Sequence, residues 1–359
     1  MNRLIGPLLA VVLLVLVGVG IWFSASDKLA ERNQLHVVGL SGSEKLPFFR
    51  DERVIAAFAK HGLNVEVHKA GSRQIATHPD LKTVDFAFPA GTPAATKIKK
   101  QFPKTHSYTP FYTPMALASW QPIAKTLVGA GLAEDKGDHY LLDMNKFVES
   151  FKNETRWVDL PNNSEYPSSK QIFVKTTDVR KSNSAAMYLS LLAYLINGNA
   201  VPTNEADVGK LFPTIQDAFL KQGFVESSSQ VPFDDYLVMG MGHTPLLFIY
   251  EAQFIGAANP EMGGLPQQAT LIYPQPVIFS KHVLIGLTEG GKKLGELLEI
   301  DDELKRLANE HGFRNDQRQY FSQHVQRLGL TLAPGFIDVI EAPSYEITEN
   351  IITRIESAY

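Results

Sequence analysis

Between Leu35 and Gln101 the chain spells short apolar runs that stop in turns of small residues, separated by stretches with helical spacing. That alternation leaves few architectures open. The run "LHVVGL" stops at Ser41-Gly42-Ser43, "NVEVHKA" at Gly71-Ser72-Arg73, and "VDFAFPA" at Ala90-Gly91-Thr92. After the first turn, "DERVIAAFAKHG" repeats apolar residues at Val54, Ile55 and Phe58 and stops at Gly62, the pattern of an amphipathic helix. Pro93 is placed to open a second helix in its first turn. Strands alternating with helices predict a mostly parallel α/β sheet. Ligands of such sheets sit beyond the carboxyl ends of the strands, where these three turns lie.

Two extended, proline-punctuated segments interrupt the alternation: "YTPFYTPMALASW" from Tyr108 to Trp120, and "QATLIYPQPVIFSKHVLIGL" with Pro274 and Pro276. Between them lies a second α/β block. It holds helical patterns in "PIAKTLVGAG", "DMNKFVESFKN" and "EADVGKLFPTIQDAFLKQG", another from Ser184 to Asn197, and expected strands at "QIFVKTT" and "PLLFIYE". A block bracketed by two crossings reads as a domain inserted into another, with the crossings as hinge strands. The expected division is a membrane segment and linker over 1–33, a first lobe from 34–119 and 269–330, an inserted lobe over 120–268, and a C-terminal extension over 331–359. The extension has helical apolar spacing at Ile347, Ile351, Ile352 and Ile355. A cleft between two lobes is where a ligand pocket is expected.

The stretch "TTDVRKSNSAAMYLSLLAYLI" sets Arg180, Lys181 and then Ser182-Asn183-Ser184 at the mouth of a helix that is apolar almost all round. A helix N-terminus leaves about four backbone N–H groups unpaired and carries roughly half a positive charge. Such an end can hold an anion, although Ser182 or Asn183 acting only as a helix cap is the plainer alternative. Ser41, Ser43 and Lys45 after the first strand, and Ser72 with Arg73 after the second, extend the same chemistry. Arg73 has the side chain best shaped for two-pronged contact with an oxyanion. Glu251, in "FIYEAQF", either accepts from a ligand or locks Arg180 in place. Trp157 and Asp159 read as a packing anchor and a turn cap, and His243 as a loop histidine.

Composition narrows the function. A formal net charge of -4 with no basic stripe argues against a nucleic-acid partner. The chain has no cysteine, which removes disulfides, thiolate chemistry and zinc–thiolate sites. No metal-binding spacing, nucleophile elbow, dinucleotide fingerprint or Walker A sequence occurs, so no catalytic residue, metal or cofactor is assigned. At the N-terminus, Leu4 to Phe23 carries no charge. As a helix of about 20 residues it would match the roughly 30 Å hydrocarbon core of a bilayer. It exceeds the apolar region of about 7–15 residues usual in a cleaved signal peptide, although Ser24-Ala25-Ser26 offers small residues for cleavage. The expectation is one transmembrane helix in a bacterial cytoplasmic membrane, with Arg3 inside, Trp22 at the outer interface and the body outside.

From about Leu35 to Arg314 the chain resembles the type II periplasmic solute-binding proteins of bacterial ABC transporters. The resemblance rests on "GLSGSEK", "VDFAFPAGTPAA", "DVRKSNSAAMYLSLLAYLINGN", "MGHTPLLFIYEAQF", "YPQPVIFSKHVLIGL" and "LKRLANEHGFR", in that order. It implies a two-lobed α/β fold with two hinge strands, here behind a membrane helix, and a ligand in the cleft for delivery to a membrane permease. By position it implies that Ser41, Ser43, Ser72, Arg73, Gly91, Thr92, Ser182, Asn183, Ser184 and Tyr250 line that cleft. The leading expectation is a binding protein for a small anion. A sensing or assembly module acting on a membrane partner, and an enzyme on the same fold using His243 or Glu251, are the alternatives.

Overall fold

The computed structural model describes residues 34–223, 226–260 and 263–359. The uncharged run Leu4–Phe23 lies outside them, and no helix among the described residues is long and apolar enough to cross a membrane.

The first half-sheet begins as the alternation predicts. Strand β1 (Leu35–Ser41) is followed by a 3-10 turn at Ser43–Lys45, the short helix α1 (Leu46–Arg50) and helix α2 (Glu52–Lys60). Asp51 caps α2 by accepting from Arg53 N at 2.9 Å, and the helix buries Val54, Ala57 and Phe58. Gly62, at φ +70, makes the turn that a side chain would resist. Strands β2 (Leu63–Lys69) and β3 (Phe86–Phe88) then flank β1 in parallel, and α3 (Thr92–Gln101) follows with its proline in the first turn.

Strand β4 (His106–Trp120) is one continuous 15-residue element. The inserted block then runs through α4 (Gln121–Gly129), a hairpin of β5 (Ala133–Asp135) and β6 (Tyr140–Asp143), α5 (Met144–Lys152), α6 (Asn183–Ile196), α7 (Glu205–Leu220), α8 (Gln230–Met239), β7 (Leu247–Tyr250) and α9 (Glu251–Ala257). Strands β8 (Ala269–Gln275) and β9 (Val277–Gly286) lead back to α10 (Glu289–Ile300), α11 (Asp302–Glu310) and α12 (Arg318–Arg327). The chain closes with β10 (Val339–Ile340) and α13 (Tyr345–Glu356).

The strand order is β2-β1-β3-β9-β4-β8-β6-β5, with β7 on β4 and β10 on β9. From His106 to Pro114, β4 pairs with β9; from Met115 to Trp120 it pairs with β7 and β8. One strand thus belongs to both half-sheets, and the return crossing falls between Gln275 and Val277. Separate cores fit this division. One gathers Val37, Phe48, Phe58, Phe86, Phe111 and Leu294 on one face of the first half-sheet, and another gathers Leu40, Ile75, Ala87 and Ile98. The inserted block has its own, built around Leu117, Phe147, Trp157, Leu189, Phe248 and Ile272.

The segment Gln171–Thr177 is not the strand expected. It is extended, but it touches β7 only through Lys175, which donates to Leu246 O and accepts from Phe248 N. Beyond that residue its backbone turns away, and Thr176 N donates to the Gln222 side chain. The hairpin β5–β6, α8 and α12 were not foreseen.

Helix α13 is tied to both halves. Ser344 caps it, accepting from Ile347 N at 3.2 Å. Ile351, Ile352 and Ile355 pack into the core of the inserted lobe, where burying each stabilises by about 1.5–3 kcal/mol. Its polar side reaches the first lobe, where Glu349 meets Arg73, Glu346 meets Lys100 and Tyr345 lies under Lys97.

Candidate ligand-binding cleft

A cavity of about 130 Å³ lies between the lobes. The first lobe contributes Ser43 and Glu44 after β1 and Lys69 to Ser72 after β2; the inserted lobe contributes Lys181 to Asn183 before and into α6, Ser227 to Ser229, and Tyr250 at the end of β7. Every side of the cavity is therefore a strand end or a helix start, as the α/β pattern requires.

Gly42 makes this geometry possible, because a Cβ there would collide with Ser72 Oγ and with the Glu44 carboxylate. Ser72 Oγ, beside the cavity, is buried and has no hydrogen-bond partner among the described residues, an unmet hydroxyl at a position where buried polar groups are normally paired. Across the gap, Ser43 Oγ and Ser228 Oγ are 3.2 Å apart. Asn183 Nδ2 donates to Ala90 O of the first lobe at 3.2 Å and to Tyr250 OH at 3.0 Å. The two lobes are thus already in contact around the cavity.

Helix α6 presents its N-terminus here without a side-chain cap. Ser182 Oγ instead pairs with Ser184 Oγ at 3.0 Å, which pairs with Thr177 Oγ1 at 2.9 Å. The serines form a hydroxyl chain leading inward rather than a cap, and among the described residues no side chain caps the first-turn N–H groups of this cavity-lining helix start. Burial raises the Tyr250 hydroxyl well above its ordinary value, with the Glu44 charge adding to it, so Tyr250 stays protonated.

Beneath the cavity sits a charged pair. Lys45 is fully buried and forms an ion pair with Glu44; its Nζ is also 3.1 Å from His282 Nδ1 and 4.8 Å from the Phe88 ring centre. Burial lowers the Lys45 ammonium, and Glu44 works against that shift. Burial and the Lys45 charge push His282 well below its ordinary value. A neutral His282 accepts from Lys45 at Nδ1, and its Nε2 has no partner among the described residues. The pair cancels in charge, so the positive character of the cavity comes from Lys69, Lys181 and the α6 terminus.

The structure brings Ser43, Ser72, Ser182, Asn183 and Tyr250 together on the cavity, with Ser184 directly behind. It does not bring Arg73 there. The Arg73 guanidinium turns toward α13, donating to both oxygens of Glu349 at 2.6 and 2.5 Å and to Arg180 O, while the carboxylate on the cleft wall, Glu44, is taken by Lys45. Ser41 is buried at the end of β1, 3.4 Å from Gly42 O. Thr92 is exposed on α3, and Gly91 serves by its lack of a side chain, since a Cβ would stand 2.9 Å from Asn183 Oδ1. Glu251 does not lock Arg180. It is fully buried, bound by Arg314 Nε and Nη2 at 2.7 Å each and by Tyr273 OH. Arg180 instead holds Asp178: burial would raise that carboxyl, but the Arg180 hydrogen bonds prevail and hold it below its usual value. Trp157 is buried and Asp159 accepts from Arg156 N, as expected.

Sequence reasoning did not single out Glu44 or the run Ser227-Ser228-Ser229. Three successive hydroxyls before a helix were a visible signal, whereas nothing in the sequence paired Glu44 with Lys45 and His282. Among the described residues no group of three or more His, Cys, Asp or Glu side chains is placed to hold a metal ion.

No protein-family sequence model matches the chain, and a search of curated proteins finds no match. Solved structures do match. The periplasmic binding protein AfuA from Actinobacillus pleuropneumoniae, with fructose-6-phosphate bound, aligns over 89% of this chain and 97% of its own, with a TM-score of 0.55 and 8% identity. The sulfate-binding protein SubI from Mycobacterium tuberculosis aligns over 86% of this chain and 95% of its own, at 0.52 and 15%. The fold is that of the type II periplasmic binding proteins. A third binding protein of this fold, P5PA, covers 90% of the chain at a TM-score of 0.52 and 10% identity. At these identities the likeness establishes the binding-protein fold; what the cleft holds is argued from its own residues.

Proposed function

We propose that this chain is an extracytoplasmic solute-binding protein that closes its lobes around a small oxyanion for a membrane permease, with Leu4–Phe23 as its tether to the bilayer. The observation that carries the reading is the interlobe cavity: hydroxyls, two lysines and an uncapped helix start surround about 130 Å³. Pockets for drug-sized ligands run to about 300–1,000 Å³, so this space suits a tetrahedral ion rather than a large solute. Glu44 adds a condition, because a carboxylate on the wall favours a ligand that also brings a hydrogen-bond donor, such as a protonated phosphate. The sulfate and sugar phosphate named for two proteins of the same fold support the anionic class.

Closure follows from differential affinity, since a ligand that touches Ser72 on one lobe and the α6 terminus on the other gains both contacts only when the lobes meet. In this reading β4 and the β8–β9 crossing act as the hinge, between a first lobe over 34–119 and 269–330 and an inserted lobe over 120–268. The enzyme alternative loses its best proton carriers, as Glu251 is held by Arg314 and His243 is absent from the cavity wall. Titration calorimetry of the full-length chain with phosphate, sulfate and molybdate tests the proposal. Saturable binding of one of them, weakened by Asn183→Ala, is expected; no heat from any of them rejects the oxyanion reading.

A further inference from the structure

A second cavity, of about 380 Å³, is larger than the cleft and shares no residue with it. It lies where the crossing strands meet the C-terminal segment. Tyr112 of β4 and Phe279 of β9 form one wall, at a ring separation of 5.4 Å, and Phe336 continues it 5.6 Å from Phe279. Phe321 and Val325, on one face of α12, form the opposite wall.

Three separate features make one end of this apolar slot receptive to negative charge. Arg314, 9% exposed, lines it. Its Nε and Nη2 are committed to Glu251 and Ala333 O, while Nη1 donates to nothing among the described residues. Its guanidinium is held 4.7 Å from the Phe321 ring and 5.7 Å from the Phe336 ring, so its direction is fixed. Arg318 also lines the cavity, is exposed, and has no ion pair among the described residues. Finally, Arg318 begins α12, a 10-residue helix with no side-chain cap on its first turn, which leaves N–H donors at the same end. Glu251 balances Arg314, and Lys305 pairs with Asp316 at 2.8 Å. Among the described residues lining the cavity, the charge left unmatched is that of Arg318.

We propose that this cavity is a second binding site, for a small organic anion: a carboxylate on a flat aromatic body. The carboxylate meets Arg318, Arg314 Nη1 and the start of α12, while the ring lies between Phe279, Phe336 and Phe321. Arg suits a planar carboxylate through paired N–H donors, and aromatic walls favour offset or edge contacts with a ring. An occupant would touch β4, β9 and the C-terminal segment together, and so would bear on the crossing between the lobes.

Ligand-observed NMR of the full-length chain with phenylacetate, and with its neutral analogue phenylacetamide, tests this. Phenylacetate should bind and phenylacetamide should bind about tenfold more weakly, the scale of one charge-assisted contact. Arg318→Glu, on the surface, should cost phenylacetate at least that factor without lowering the melting temperature, and Phe336→Leu should weaken both probes. Asn183→Ala, in the cleft, should leave phenylacetate binding unchanged. No binding of phenylacetate, equal binding of the two probes, indifference to Arg318→Glu, or loss in Asn183→Ala would each overturn the proposal.

Discussion

Arg73 donates through Nη1 to both carboxylate oxygens of Glu349, and through Nη2 to the backbone oxygen of Arg180. A residue that follows β2 of the first lobe is thereby joined both to the last helix and to the loop that leads into α6. Arg73→Ala and Glu349→Ala should each destabilise the chain, and the double-mutant cycle should show a coupling of about 1.5–3 kcal/mol, as for hydrogen bonds between charged groups. Urea unfolding of the four proteins measures it. Additive single effects would mean that the pair is not formed in solution.

Asn183 is the side chain that spans from α6 to Ala90 of the first lobe. Asn183→Ala removes that donor and the one given to Tyr250 OH, leaving a buried hydroxyl oxygen with one partner fewer. Oxyanion affinity should fall by about tenfold or more, since each such bond contributes about 1 kcal/mol and an unmet acceptor costs more. Calorimetry reads the loss; an unchanged dissociation constant would remove Asn183 from the site.

Gly42→Ala should act on binding more than on stability. The added methyl meets the ends of the Ser72 and Glu44 side chains rather than backbone, but Glu44 is pinned by Lys45. The space is therefore recovered by shifting the cavity wall. Oxyanion affinity is expected to drop while the melting temperature moves by a few degrees at most; the reverse pattern would show that Gly42 matters for folding instead.

His282 gives a pH dependence with a definite sign. Its value in the folded chain lies well below 6.5, so below about pH 6.5 the unfolded chain binds a proton that the folded chain refuses. Its contribution to stability is intact above that pH and declines as pH falls, with a limiting slope of about 1.4 kcal/mol per pH unit for one proton. His311 and His324 are lowered mainly by burial as well and act in the same direction. The test is therefore the difference between wild type and His282→Gln. The gap in unfolding free energy at pH 7.5 should narrow at pH 5.5, and a constant gap would contradict the assignment.

Much of the architecture could be read from periodicity because the elements around the cleft obey it: β1, β2 and β3 with their small-residue turns, the long crossing strand β4, and α6, apolar on nearly every face. The turns after β1 and β2 and the start of α6 pointed to Ser43, Ser72, Ser182 and Asn183, which the structure brings to one interlobe cavity, since where a strand stops or a helix starts depends on local sequence. What was not legible depended on partners far along the chain. Arg73 looks like an anion clamp until Glu349, 276 residues later, is folded against it. Lys45 and Glu44 are adjacent in sequence, yet only the burial of His282, 237 residues away, makes them a sealed pair. The segment Gln171–Thr177 has a strand's composition, but a strand also requires a ladder of partners.

The position of α13 makes the gap between the lobes sensitive to ionic strength. Its isoleucines are fixed in the inserted lobe; on the first lobe it is held by the Tyr345 ring, buried with Leu40 and Ile98 beneath Lys97, by the half-buried pair of Arg73 with Glu349, and by Lys100 with Glu346, 3.4 Å apart with both side chains mostly in solvent. Charges so placed are screened over about 10 Å at 0.1 M salt and over about 3 Å at 1 M, while the contacts of Ile351, Ile352 and Ile355 persist. Added salt therefore weakens the exposed Lys100–Glu346 contact and leaves the buried ones, Tyr345 included, in place, so the final helix slackens with the ionic strength of the medium without letting go of either lobe.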